Sequence, residues 1–396
     1  DIICAAFDDV NKAREDRGER PIGITLVGDF CLGEGTPTML ADGRVVPAEQ
    51  VRVGMSLMGP DSLPRRVLRT TVGNGPLFRV VQTNGADYTV NAAHSLALRR
   101  SPDGHRKEWT GRRYPKYQDS FAMPVQAFAA KSGKFKACFV GYRAGIINLP
   151  ARPVSIDPYF LGVWLGDGDA TGPRITTGDH EIIDYCRAYA ASLGMHASVD
   201  AERNGARRVR LTHGRKNGNR PTPLTSGLRH YSVINNKHIP DDYLLNSTDV
   251  RLAVLAGLID TDGCWSGNRY TLTWANFRLA TGAKQLADQL GFRTALYPVT
   301  NGFYKDGTNG GAWTVTIGGD TWRIPCRIAR KKTFPRNLVR SRLTSVLKIV
   351  PAGEGNYYGF EIDGDHLFCL GDGTVTHNCQ LAPVGWGEPK KDSQGR

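Results

Sequence analysis

Two places in this chain carry residue types that can break a peptide bond without an outside reagent. At His377-Asn378-Cys379 the asparagine amide nitrogen can attack its own main-chain carbonyl, closing a succinimide and cutting the bond that follows. Cys31 places a thiol that can attack the Phe30 carbonyl and convert a peptide bond into a thioester. Cys379 can then take over the acyl group, because a thiolate is a strong nucleophile near neutral pH and a good leaving group. Acting together, these groups would remove residues 31–378 and join Phe30 to Cys379. The chemistry needs no cofactor. It needs a fold that strains or polarises two peptide bonds and brings Cys379 close to Phe30, so that proximity supplies most of the rate.

A second set of candidates lies between these ends. Two apolar runs, Phe160 to Gly168 and Leu255 to Gly263, each finish in Asp-Gly, and the two aspartates, Asp167 and Asp262, are 95 residues apart. Later helical stretches ending at Leu193-Gly194 and Leu290-Gly291 repeat at nearly the same offset, which marks a duplicated half-domain. Gly162 and Gly257, three positions into each run, allow a partner helix to approach closely. Ser155-Ile156-Asp157-Pro158 supplies a cap and an N1 proline to the first helix, and Asn246-Ser247-Thr248-Asp249 offers caps to the second. A carboxylate at a helix C-terminus opposes the macrodipole, so two such placements call for a shared cation.

The elements that must position these groups can be read from texture. Residues 31–98 form short alternating strands with Gly, Asp and Pro turns: Thr38 to Leu40, Arg44 to Val46, Leu77 to Gln82 and Tyr88 to Val90. The same texture returns from Leu347 to Val375, which predicts one all-β domain with an insertion. Between the β domain and the first repeat, Arg99, Arg100, Arg106, Lys107, Arg112, Arg113 and Lys116 are interleaved with Trp109, Tyr114 and Tyr117. This suits phosphate contacts with stacking, and equally a solvated loop. The net charge of +13 fits a polyanion partner or plain solubility. Eight scattered cysteines without a Cys-x-x-Cys pair argue against a zinc ribbon or a disulfide scaffold, so thiols in a reducing, intracellular compartment are expected: nucleus, mitochondrion or cytoplasm. Neither a membrane span nor a signal peptide is expected, and the absence of an initiator Met suggests an excerpt.

The blocks Cys31-Leu32-Gly33-Glu34-Gly35-Thr36 with Leu40 to Gly43, Asn91-Ala92-Ala93-His94, Tyr358 to Ile362 through His366, and Val375 to Asn378 resemble those of inteins of the vacuolar-ATPase type. That resemblance implies a mainly β, horseshoe-like Hint splicing domain with an inserted α+β LAGLIDADG endonuclease domain of two pseudo-symmetric halves. It implies that His94 hydrogen-bonds the Phe30–Cys31 peptide and helps protonate its nitrogen. His366 and His377 would polarise the carbonyl that Asn378 attacks or relay protons, and Asn91 stands where the family more often has Thr. Leu255 to Gly263 matches the LAGLIDADG motif with Thr261 as its departure. By the same resemblance Asp167 and Asp262 lie side by side and bind Mg²⁺, which polarises scissile phosphates and activates water. Lys237 and, of the pair Lys331-Lys332, Lys332 take the catalytic lysine positions. DNA would lie across strands such as the one carrying Arg207, Arg208 and Arg210, whose outward face suits the major groove.

Outside the cut sites, Gly28-Asp29-Phe30 rejoined to Cys379-Gln380-Leu381-Ala382-Pro383-Val384 resembles the nucleotide-binding core of superfamily-one helicases related to RecD and the petite-integration-frequency enzymes, with Ala382 where that family usually has Pro. No Walker A loop is present, so ATP would serve only the complete host. The expected organisation is 1–30 and 379–396 host, 31–98 and 338–378 splicing domain, 99–150 basic segment and linker, and 151–337 endonuclease. A monomer acting on double-stranded DNA of the uninterrupted host gene is expected. Three alternatives stand beside it: an intein with a decayed nuclease, a helicase piece with an inert insertion, and Hedgehog-like autoprocessing, which leaves Asn378-Cys379 without a purpose.

Overall fold

The computed structural model describes residue 17 and residues 31–101, 120–213, 221–299, 311–335 and 343–378. Apart from residue 17, the segments 1–30 and 379–396 expected to be host, Cys379 among them, lie outside the described residues, as do the basic residues Arg106, Lys107, Arg112, Arg113 and Lys116.

The β unit is built on two long strands from opposite ends of the chain. Pro64–Gln82 and Leu347–Ile362 run antiparallel from Leu347↔Gln82 to Ile362↔Val67. The ends of the first strand alternate in burial, with Arg65 and Val67 inward at one end and Val80 and Gln82 at the other. The register shifts between Pro351 and Glu354, where proline has no N–H to give the ladder. Leu32–Gly33 lies between Leu347–Ile362 and Tyr88–Asn91, and Tyr88–Asn91 pairs back onto Pro64–Gln82, so four strands close on themselves. Closure removes sheet edges. It also holds the residue after Cys31 between two partners.

Texture placed a linker over 99–150, but residues 120–142 are part of this core. Phe121–Pro124 and Phe139–Tyr142 flank Ser95–Arg100 in a second sheet, and the short helices Val125–Ala129 and Gly133–Ala137 bury Phe128 and Phe135. The physical reason is aromatic: the rings of Phe121 and Phe135 pack on Phe139 at 5.0 and 4.8 Å between centroids.

The inserted unit is duplicated in topology. Its first half orders strands Arg174–Thr177, Arg207–Thr212 and His196–Val199, backed by helix His180–Ser192. The second repeats that order with Arg269–Trp274, Ala312–Gly318 and Arg293–Val299, adds Cys264–Trp265 at one edge, and is backed by helix Phe277–Gln289. Helices Pro158–Asp167 and Thr248–Asp262 pack together between the halves. Asp157 caps the first by accepting the Phe160 N–H at 3.0 Å, whereas Ser247 gives the second no side-chain cap.

The paired helices touch backbone to backbone. A Cβ on Gly162 would meet Val254 O at 2.2 Å, and one on Gly257 would meet Tyr159 O at 2.4 Å. Gly166 faces Thr261, whose hydroxyl would be 2.0 Å from its Cβ, so the threonine that departs from the motif is accommodated by a glycine opposite. Because the obstructing atoms are main-chain, the helices themselves must part to admit a side chain. Gly257→Val is therefore expected to destabilise the fold by about 3 kcal/mol, the upper end for overpacking, seen as a lowered thermal unfolding midpoint; an unchanged midpoint would contradict this packing.

Candidate active sites

The β unit buries both Cys31 and Asn378. Cys31 is fully buried, and its N–H, which belongs to the Phe30–Cys31 peptide, donates to Asn91 Oδ1 at 3.0 Å. The Thr71 hydroxyl lies 3.8 Å from the Cys31 sulfur. Asn91 thus holds the N–H of the peptide to which the resemblance assigns His94. His94 is also fully buried, and its Nε2 lies 2.7 Å from the hydroxyl of Thr376, two residues before Asn378. Strand alternation explains both placements, since Thr376 faces away from its neighbour His377.

At the other end, Asn378 is 1 % exposed and its N–H donates to His366 O at 2.9 Å. Its carboxamide nitrogen and oxygen are buried with no hydrogen-bond partner among the described residues. Such a group costs about 1–3 kcal/mol, and among the described residues no competing bond holds it away from its own carbonyl. His377 Nδ1 lies 3.4 Å from that carbonyl oxygen. Burial holds His377 below the usual imidazole range; the Asn378 contact opposes this and His366 adds to it. The two histidine rings stack at 6.1 Å. His366 has φ 63°, a left-handed backbone worth about 1–3 kcal/mol of strain.

The second site is at the ends of the paired helices. Asp167 and Asp262 are half-buried there, and the Asp262 carboxylate would be 2.8 Å from a Cβ on Gly166. Burial, then the neighbouring Asp262 charge, pushes Asp167 up to about 6. Burial raises Asp262 too, against a 2.7 Å bond donated by Trp274 Nε1. The cation needed at each helix end is a lysine. Lys237 Nζ donates to Gly166 O at 3.1 Å and Gly168 O at 2.7 Å. Lys331 Nζ donates to Ile259 O, Asp260 O and Thr261 O at 2.9, 2.6 and 3.0 Å. Burial pulls both ammonium groups below the ordinary lysine range, with nearby aspartates opposing it.

This corrects the choice of Lys332. The 3₁₀ turn Ala329–Lys331 aims Lys331 inward and leaves Lys332 exposed, so Lys331 is the mirror of Lys237. Adjacent lysines in a loop carry no periodic signal to separate them. Trp274 also went unrecognised, because an aromatic at a strand end is ordinary core material. The two carboxylates suit Mg²⁺, a hard cation that commonly takes one or two protein carboxylates and fills its remaining positions with water and phosphate oxygens. No cluster of three or more His, Cys, Asp or Glu occurs among the described residues, so the protein alone supplies a partial shell.

Of the basic residues expected to meet DNA, Arg208 and Arg210 are exposed on the face opposite buried Val209 and Leu211. Arg207 pairs with Glu202 at 2.9 Å, and Arg210 pairs with Asp200. A polyanion must compete with those acids. Arg99 is committed elsewhere, stacked 3.7 Å over the Tyr142 ring because its strand pairs with Phe139–Tyr142, and Arg100 is half-buried beside it.

Comparison with known proteins matches residues 31–116 to the Hom_end-associated Hint family and residues 249–323 to the LAGLIDADG-like domain family. The chain is 31% identical over 402 residues to the replicative DNA helicase DnaB of Mycobacterium intracellulare, covering 96% of this chain and 61% of that protein. It is 23% identical over 480 residues to the catalytic subunit of the V-type proton ATPase of Candida tropicalis, covering 90% of this chain and 44% of that one. The chain thus spans less than two thirds of either curated relative. Among solved structures, the homing endonuclease I-DmoI in complex with DNA and Ca is similar at 14% identity and a TM-score of 0.32, covering 42% of this chain and 84% of that one. Its complex with DNA and Mn gives 15% and 0.30, covering 41% and 89%.

Since Asp262 is the second cause of the raised Asp167 pKa, Asp262→Asn should lower the Asp167 midpoint from about 6 while burial keeps it above 3.8. Carboxyl carbon NMR across a pH titration reads this directly, and an unmoved midpoint would show that the two groups do not interact.

Proposed function

This chain is an intein that carries a homing endonuclease, a Hom_end-associated Hint domain joined to a LAGLIDADG-like domain, and on that premise we propose that it splices itself out of a helicase and cuts the uninterrupted gene. The carrying observation for splicing is the 2.7 Å contact between His94 and Thr376, which ties the block beside Cys31 to the block beside Asn378 across 282 residues.

The proposed sequence begins with the Cys31 sulfur attacking the Phe30 carbonyl carbon. The C–N bond breaks, a thioester forms, and the released nitrogen takes a proton with the help of His94, while Asn91 fixes the peptide plane. Cys379 sulfur then attacks the thioester and frees the Cys31 thiol. Asn378 Nδ2 attacks its own carbonyl carbon, whose oxygen faces His377 Nδ1, and breaks the bond to Cys379. The freed amine of Cys379 finally attacks the thioester it carries, leaving a peptide bond between Phe30 and Cys379.

For the nuclease, Asp167 and Asp262 would hold Mg²⁺, which when bound polarises a scissile phosphate and activates water. Lys237 and Lys331 fix the helix ends that carry those acids and supply positive charge beside them. Arg208 and Arg210 face outward for double-stranded DNA, and the protein acts as a monomer on the site spanning the Phe30 and Cys379 codons. The host reading rests on Gly28-Asp29 and Gln380-Leu381, and similarity to a DNA helicase supports it. ATP serves only the complete host.

Expression of the full chain should yield the 30 residues before Cys31 ligated to the 18 from Cys379 onward. Asn378→Ala should abolish cleavage after residue 378, and Cys31→Ala should abolish thioester formation. Normal ligated product from either variant, identified by mass spectrometry, would overturn the mechanism.

The two lysines give an independent check. Lys331→Met should reduce Mg²⁺-dependent cleavage of the joined-codon DNA by about 100-fold, the scale for losing one preorganised electrostatic group. Lys332→Met should leave it unchanged, and equal losses would refute the assignment.

A further inference from the structure

We propose that Arg143 is a positioning residue for the cleavage after Asn378, and that the nuclease unit supplies its footing. The inference rests on the splicing reading above.

Arg143 is 2 % exposed and follows strand Phe139–Tyr142 in the β unit. Its guanidinium spans two units. On one side Nε donates to Asp372 O at 2.9 Å, and Nη2 reaches the same oxygen. On the other, Nη1 donates to Phe292 O at 2.9 Å and Nη2 to Asp288 Oδ1 at 3.0 Å. Asp288 lies at the end of helix Phe277–Gln289 in the nuclease and is itself held by Thr294 Oγ1 and Lys284 Nζ, each at 2.6 Å.

Asp372 is the centre of the turn that launches the last splicing strand, Val375–His377. Its carboxylate takes the N–H groups of Ala86 and Thr374 at 2.6 and 2.9 Å, so the carbonyl that Arg143 grips belongs to a residue fixed on all sides. Thr376, His377 and Asn378 follow within six residues. A shift of this turn therefore moves the His94 partner, the Asn378 carbonyl and its nucleophile together. Cys31 has separate supports, Asn91 and the strands on either side of Leu32. Loss of the Arg143 grip should impair the Asn378 step more than the thioester step.

Arginine's planar fork spreads donors over three nitrogens and so reaches acceptors on both sides at once, whereas a lysine's donors all sit on one nitrogen. A misplacement of 1 Å at reacting groups can cost about 100-fold. Arg143→Lys and Asp288→Asn in the full chain provide the test. Thiol-induced release of the N-terminal segment reports the Cys31 thioester, and mass spectrometry reports cleavage after Asn378. Both variants are expected to slow Asn378 cleavage by about tenfold or more while thiol-induced release stays within about twofold of the unaltered chain. If Arg143→Lys does not fold, Asp288→Asn and Thr294→Val decide.

An equal fall in both steps would reduce Arg143 to a general stabiliser and overturn the proposal. Full-rate Asn378 cleavage in Asp288→Asn and Thr294→Val would overturn the nuclease footing. An unaltered chain that does not splice would instead overturn the splicing reading, and this inference with it.

Discussion

The antiparallel pairing of Pro64–Gln82 with Leu347–Ile362 is the constraint on which the rest of the molecule depends. It joins segments separated by the whole insertion, and Cys31 and Asn91 are placed by strands it holds. Leu32 is paired to Tyr358 on one side and to Val90 on the other, which sets Cys31 and Asn91 in contact. The entropy of closing a long loop rises by only about 0.6 kcal/mol per doubling. A large insertion is therefore tolerable if it is itself folded and leaves its ends near each other. Catalysis then becomes a matter of burial. Asn378 carries an amide with no partner among the described residues, and His366 a left-handed backbone, both of which a loosely held segment would relax.

The paired helices solve a different problem by the same means. Two carboxylates at two helix C-termini face both the macrodipoles and each other, and burial first, then the Asp262 charge, pushes Asp167 up to about 6. Lys237 and Lys331 neutralise the carbonyl ends without covering the acids. The glycines matter because they let the helix ends approach closely enough for the acids to interact. A protein cation at each end also changes the role left for a metal, which need not hold the helices together.

Much of this was legible in the residues alone. Cys31 and Asn378 are recognisable from reaction chemistry, and the duplicated half-domain from the offset of its aspartates and glycines. The length of the two long strands was not: the first reads as a strand only from Leu77 to Gln82, and the glycines of Gly73-Asn74-Gly75 and Gly353-Glu354-Gly355 have turn composition, although glycines are tolerated in an extended pair that runs past the core. Residues 120–142 were hidden for another reason: their helices are only five residues each, too short for periodicity, and the phenylalanines find each other through tertiary packing. Division of labour between Asn91 and His94 likewise depends on which side chain the closed sheet points at residue 31. Lys331 and Lys332 differ only by the phase of a single turn.

The boundary between the two units is where sequence texture misleads most. The texture changes sharply, which suggests two independent bodies, yet the apolar core is continuous across it: Met39, Met58 and Tyr142 of the β unit cluster with Leu149, Leu245 and Phe292. Polar groups cross it as well. Gln289 Nε2 donates to Gly43 O at 2.7 Å, and Ile147 N–H donates to Gln289 O at 2.8 Å. Buried polar groups are tolerated only when paired, so these partners are structural requirements of both sides. Removing the insertion would uncover fully buried methionines, leave the Gly43 carbonyl without its mate and leave the Arg143 guanidinium with Asp372 O but without Phe292 and Asp288. A β unit that splices alone must therefore replace those contacts. Evolutionary or engineered loss of the nuclease should involve compensating changes near Gly43, Met58 and Arg143 rather than a clean deletion.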